Sequence, residues 1–118
     1  MGIREGCSPG YWGRPQHLNS WAPTEYSTDD IFNTVFNRNA LDSSTTLLQA
    51  INPSTPMTLL KQLARQAVAA LLNATHPAIN YSLTESQVIK MFQDAFDSGE
   101  FEKTKDEFDA YNNLFCPL

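Results

Sequence analysis

The chain has two cysteines, Cys7 and Cys116, each no more than ten residues from an end of its 118 residues, and this placement constrains the fold more than any other feature. The ends of a domain usually lie near one another on its surface, so a disulfide accounts for the pair better than the competing reading of two unrelated buried thiols. A bridge from Cys7 to Cys116 would enclose more than a hundred residues. For a loop of that size the chain-entropy treatment gives about 4.7 kcal/mol, which rivals the net stability of a small domain. Disulfides persist in oxidising compartments, so the expected setting is secreted or on the cell surface. Taken with His17 and His76, the cysteines show none of the short paired spacings that zinc sites use, and no metal or cofactor is expected.

A hydrophobic content of 42% with seven Phe is enough for one domain with a real core. The net charge is −5 and the Lys and Arg residues are scattered. That pattern argues against nucleic acid or an anionic membrane surface as a partner. The longest apolar stretch, Val68 to Leu72, is far shorter than the roughly 20 residues a membrane crossing needs, so no membrane insertion is expected. The opening Met1-Gly2-Ile3-Arg4-Glu5-Gly6 only partly matches a myristoylation signal, which takes Ser or Thr where Gly6 stands. No signal-peptide apolar core is present, so a secreted form would be a mature chain or an excised domain.

Residues 1–26 read as an irregular N-terminal arm, with Gly and Pro recurring and no helical period. The arm also holds Tyr11, Trp12, Trp21 and Tyr26, too many aromatics for a disordered tail. Residues 27–118 read as a helical body. Ser27 to Asp30 offers an N-cap for a short helix carrying Ile31, Phe32, Val35 and Phe36 and ending near Asn37 to Asn39. Asp42 or Ser43 can cap a second, with Leu47, Leu48 and Ile51, which Asn52-Pro53 closes. A long central helix is expected from about Pro56 to Asn73, capped by Ser54 or Thr55. Its faces are apolar apart from a strip of Thr58, Lys61, Gln62, Arg65, Gln66 and Asn73. Thr84-Glu85-Ser86-Gln87 has the form of a capping box for a helix ending at Ser98-Gly99. A last helix, about Phe101 to Phe115, presents Phe108, Tyr111, Leu114 and Phe115 on one side. The expected fold is all-α, a compact bundle of about five helices with the arm stapled to it by one disulfide.

Three segments together carry a resemblance: Cys7-Ser8-Pro9-Gly10-Tyr11-Trp12 with His17 and Trp21, Ala70-Leu71-Leu72-Asn73-Ala74, and the closing Cys116-Pro117-Leu118. They resemble a module of bacterial extracellular and cell-surface proteins whose pattern is Cys-Thr-Pro-Gly-Tyr-Trp, a nearby His and Trp, an Ala-Leu-Leu-Asn-Ala stretch and a final Cys-Pro. The resemblance would cover nearly the whole chain. It implies secretion and the terminal disulfide and brings no activity with it. Gly13-Arg14-Pro15-Gln16 stands where the module has a shorter basic link, so no role carries over to a basic residue there.

Catalytic motifs are missing: there is no G-x-S-x-G, H-E-x-x-H, P-loop or G-x-G-x-x-G, and an enzyme is not expected. Asp29, Asp30, Glu85, Glu100 and Asp106 fit helix first turns and solvated faces better than a carboxylate pair. Neither Asp97-Ser98-Gly99-Glu100 nor Asp106-Glu107-Phe108-Asp109 follows a calcium-loop pattern. The candidate binding surface is Tyr11, Trp12, His17, Trp21 and Tyr26, which would form a stacking platform for a glycan or peptide if exposed. The alternative is that both Trp rings plug the end of the bundle, with His17 donating a ring proton to a loop carbonyl. Asn73-Ala74-Thr75 and Asn80-Tyr81-Ser82 are N-glycosylation sequons, expected to be bare in a bacterial source. These features point to an extracellular structural or interaction module. Its partners would be copies of itself or other extracellular surface proteins, and the alternative is a carbohydrate-binding module using the arm aromatics.

Overall fold

Short side-chain caps decide where most of the helices begin. A computed structural model describes residues 2–118. The body contains α2 (Phe32–Phe36), α3 (Leu47–Ile51), α4 (Leu59–Thr75), α5 (Glu85–Ser98) and α6 (Phe101–Asn112), preceded in the arm by α1 (Pro9–Trp12) and a 3₁₀ segment, Pro15–Thr24. The fold is all-α, with two isolated bridges, Glu5 to Phe115 and Ile31 to Thr46, in place of a sheet among the described residues. Cys7 and Cys116 are joined by a disulfide, their Cα atoms 4.6 Å apart. Among the described residues no helix is long and apolar enough to cross a membrane.

The α5 boundaries follow the sequence closely. Thr84 and Gln87 form the capping box, each side chain accepting from the other's backbone N–H, and Gly99 ends the helix at φ 78°, which glycine adopts without strain. Three helix starts differ from expectation. The Ser27 to Asp30 group does not cap α2; the Asp30 carboxylate accepts from Ser27 N–H to make a turn, and Phe32 N–H goes to Thr45 O instead. Asp42 likewise closes a turn on Ser44, while a second capping box, Thr46 with Gln49, starts α3. Thr55-Pro56 is a cis bond in the loop, and α4 starts only after Thr58, whose hydroxyl accepts from Lys61 N–H at 3.1 Å. Met57 is consequently exposed rather than on the core face.

Helix α4 is central. Nine of its 17 residues are buried, including every position from Ala67 to Asn73, and α1, the 3₁₀ segment, α3, α5 and α6 all pack on it. Its alanines set how closely these neighbours approach. Asn73, expected on the polar strip, is fully buried. Helix α6 stops at Asn112, where Asn113 Nδ2 donates back to Asp109 O, so Leu114 and Phe115 leave the helix and are exposed instead of lining its core side.

Candidate functional site

The arm lacks a 3.6-residue period because short turns, each pinned by a hydrogen bond to the body or to its own backbone, take the place of a long helix. Ser8 caps α1 through its hydroxyl, with Pro9 in the first turn, and the single turn that follows drives Trp12 inward. The strand-like segment before it runs close against α6. A Cβ on Gly6 would overlap the Tyr111 carbonyl oxygen, so only glycine allows this approach.

Trp12 is fully buried and Trp21 is 2% exposed. Their rings fill the core, which corrects the platform reading: neither indole offers a face to a glycan or peptide. The packing alternative describes both residues. Each ring N–H is matched, Trp21 Nε1 donating to Trp12 O at 2.9 Å and Trp12 Nε1 to Asn73 Oδ1 at 3.1 Å.

Asn73 is the hub. Its Oδ1 also accepts from Cys7 N–H at 2.9 Å, while its Nδ2 donates to Cys7 O at 2.8 Å and to Asn112 Oδ1 at 3.0 Å. Asn112 Oδ1 takes a further bond from the Tyr81 hydroxyl at 2.6 Å, and Asn112 Nδ2 donates to Gln66 O and Gln66 Oε1 at 3.0 and 2.9 Å. Two buried amides therefore clamp both backbone groups of Cys7, the Trp12 indole and the Tyr81 phenol, and among the described residues no buried side-chain nitrogen or oxygen lacks a partner. Burial raises the Tyr81 pKa far above the ordinary phenol value, so its hydroxyl stays a neutral donor. The knot is built of amide, indole, phenol and backbone groups. Its chemistry is to hold Cys7 in place while Cys116 closes the covalent link.

The other arm residues lie nearer the surface. Tyr11 and His17 are half-buried and stacked, ring centroids 4.0 Å apart and 18° from parallel. The Tyr11 hydroxyl meets Ser20 Oγ at 2.8 Å, and His17 Nδ1 lies 3.1 Å from Tyr11 O. A carbonyl only accepts, so this bond belongs to the tautomer with its proton on Nδ1, and the acceptor lies in α1 and not in a loop. Tyr26 reaches the first turn of α5 and donates to Glu85 Oε2 at 2.5 Å; burial, then the carboxylate, raises its pKa. The five candidate residues thus divide into a buried indole pair, a half-buried Tyr–His stack and a separate Tyr–Glu contact.

Of the other members of the knot, Asn112 carries no signal in the sequence, while Gln66 reads only as part of the polar strip of α4 and Tyr81 only as the middle of a sequon. A signal existed for Asn73, which follows Ala69 and Ala70 by four and three residues and so shares the most apolar face of α4. Its burial also closes its sequon to modification in the folded chain. Asn80, the other sequon, is exposed, its Nδ2 donating to Ile3 O at 3.0 Å. Among the described residues no group of three or more His, Cys, Asp or Glu is placed to hold a metal ion. No protein-family model, curated protein or solved structure matches the chain.

Proposed function

We propose that this chain is an extracellular structural or interaction module that works by self-assembly or by attachment to other surface proteins, with no catalytic chemistry of its own. The observation that carries the reading is where the exposed apolar residues lie. Of six large apolar side chains left exposed, four belong to the terminal segments joined by the disulfide: Ile3 at 80%, Phe115 at 67%, Leu118 and Leu114. Glu5 and Phe115 pair across these segments, and Gly6 N–H donates to Phe115 O at 3.0 Å. Apolar groups gathered on an ordered surface are a usual mark of a protein contact. A cross-linked chain suits an oxidising compartment, where the bond persists. The expected contact face is therefore the stapled end and not the tryptophans.

Light scattering on the oxidised protein over a rising concentration series tests this, with an Ile3→Ser, Phe115→Ser double variant beside it. Concentration-dependent oligomers that the variant abolishes are expected. A strict monomer at every concentration removes self-assembly.

A further inference from the structure

We propose that the cleft between α4 and α6 at Arg65 binds a carboxylate that bears a small apolar group. The cleft measures about 590 Å³, within the range of small-ligand sites, and is bordered by Pro53, Met57, Gln62, Arg65, Lys105 and Asp109. Arg65 is half-buried, and its Nε–H donates to Ile51 O at 3.0 Å, which fixes the plane of the guanidinium. Among the described residues its two Nη groups make no hydrogen bond and no ion pair. Arg38 and Lys105, by contrast, each have a carboxylate, Asp97 at 2.8 Å and Asp106 at 2.9 Å. The nearest acid in the cleft, Asp109, is taken by Gln66 Nε2 at 3.2 Å and Asn113 Nδ2 at 2.8 Å and stays beyond ion-pair distance of Arg65.

Burial draws the Arg65 cation partly out of water and lowers its pKa, and the Asp109 carboxylate, beyond ion-pair distance, offsets this only in part. An incoming carboxylate would supply a directly bonded counter-charge and accept two parallel N–H bonds from the Nη groups, which a guanidinium fork offers and an ammonium does not. Lys105 at the rim is already paired with Asp106, which leaves Arg65 to make the bonds to the carboxylate. Met57, 45% exposed, and Pro53 give an apolar substituent a surface to cover. A peptide ending in a free Leu and a free branched short-chain acid share this chemistry.

Amide NMR titration of the whole oxidised chain with 4-methylpentanoate is the test. The control is 4-methylpentanamide, and acetyl-Ala-Leu is compared with its C-terminal amide. Saturable shifts at Arg65, Gln66 and Met57 are expected with both carboxylates and with neither amide, and a tighter peptide identifies a chain end as the source. Arg65→Lys is expected to weaken binding about tenfold, the loss of one fork-type pair of bonds. Met57→Ser, at an exposed position, weakens it about threefold without touching the fold, and keeps the test open if Arg65→Lys disturbs Ile51. Equal shifts with the amides, no saturation, or unchanged affinity in both variants overturns the proposal. Inorganic phosphate binding as tightly as the carboxylate overturns it too.

Discussion

In one region of the molecule Asn73 and Asn112 hold Cys7, Trp12 and Tyr81 through hydrogen bonds of 2.6 to 3.1 Å, whereas in another Phe32, Phe36 and Phe92 meet ring against ring with centroids 4.5 to 5.2 Å apart. Both regions are buried, but they respond to damage differently. The aromatic cluster is held by area and shape, so a smaller apolar residue leaves a gap that neighbours partly fill. The knot is held by direction and count. Removing one amide strands several donors and acceptors away from water, each at its full desolvation cost. The difference teaches that one region fixes a single arrangement of the chain ends, while the other supplies bulk stability to any arrangement that buries it.

The largest effect should come from the covalent part of the knot. Cys116→Ser is expected to lower unfolding stability by about 4 to 5 kcal/mol, the loop-closure value for a loop of about a hundred residues, measured by denaturant unfolding of the oxidised wild type beside the variant. A loss under about 2 kcal/mol would mean that the amides hold the ends without help from the sulfur bridge. Next, Asn73→Ala should cost about 3 to 4 kcal/mol, because it leaves both Cys7 backbone groups and the Trp12 Nε1 without a partner. Asn112→Ala combined with it should add much less than its own single effect, since the two share a bond; full additivity in a double-mutant cycle would break the description of the knot as one unit. Phe92→Leu should cost only about 1 to 1.5 kcal/mol. If it rivals Asn73→Ala, the contrast between the two regions fails.

The smallest effect concerns pH. His76 ends α4 and is buried, and burial lowers its pKa from the ordinary histidine value. Its Nδ1 accepts from Ala78 N–H at 3.1 Å, a bond that a protonated ring cannot accept. A base whose folded pKa is depressed takes up its proton more readily when unfolded. Its contribution is therefore intact above about pH 6.5 and is lost as pH falls through that value toward the lower folded pKa. His76→Asn, which keeps an acceptor near the same place, should flatten the stability profile on the acid side of about pH 6.5. A profile unchanged by the substitution would assign the acid sensitivity elsewhere. Asp97, held down by the Arg38 hydrogen bond, and Asp42, held down by Ser44, belong to the more acidic range.

Helix α5 was legible in the sequence because its signals are local: Thr84 and Gln87 satisfy each other's backbone, and Gly99 needs no tertiary partner to end the helix. The staple was legible for a different reason, that only two cysteines exist to pair. What was hidden depended on partners far along the chain. Asn73 looks polar on a helical wheel, and nothing nearby in sequence says that Cys7, 66 residues away, will use both sides of its amide. Asp42 and Thr46 are both plausible caps; the pairing of Ile31 with Thr46 places the start of α3 at the second. Composition marked the arm's aromatics as important without telling a buried indole from a displayed one. That choice was made by Asn73 and by the Trp12 carbonyl, which together give both indole N–H groups a partner inside.

The disulfide has a mechanical consequence. A force drawing the two ends of the chain apart enters at Cys7, crosses the sulfur bridge and leaves at Cys116, so the helices lie off the load path altogether. Tension that would unravel an uncrosslinked bundle turn by turn is carried here by a covalent shunt a few atoms long, with the Asn73 clamp seating one of its anchors. Under such a pull the domain would neither lengthen nor open.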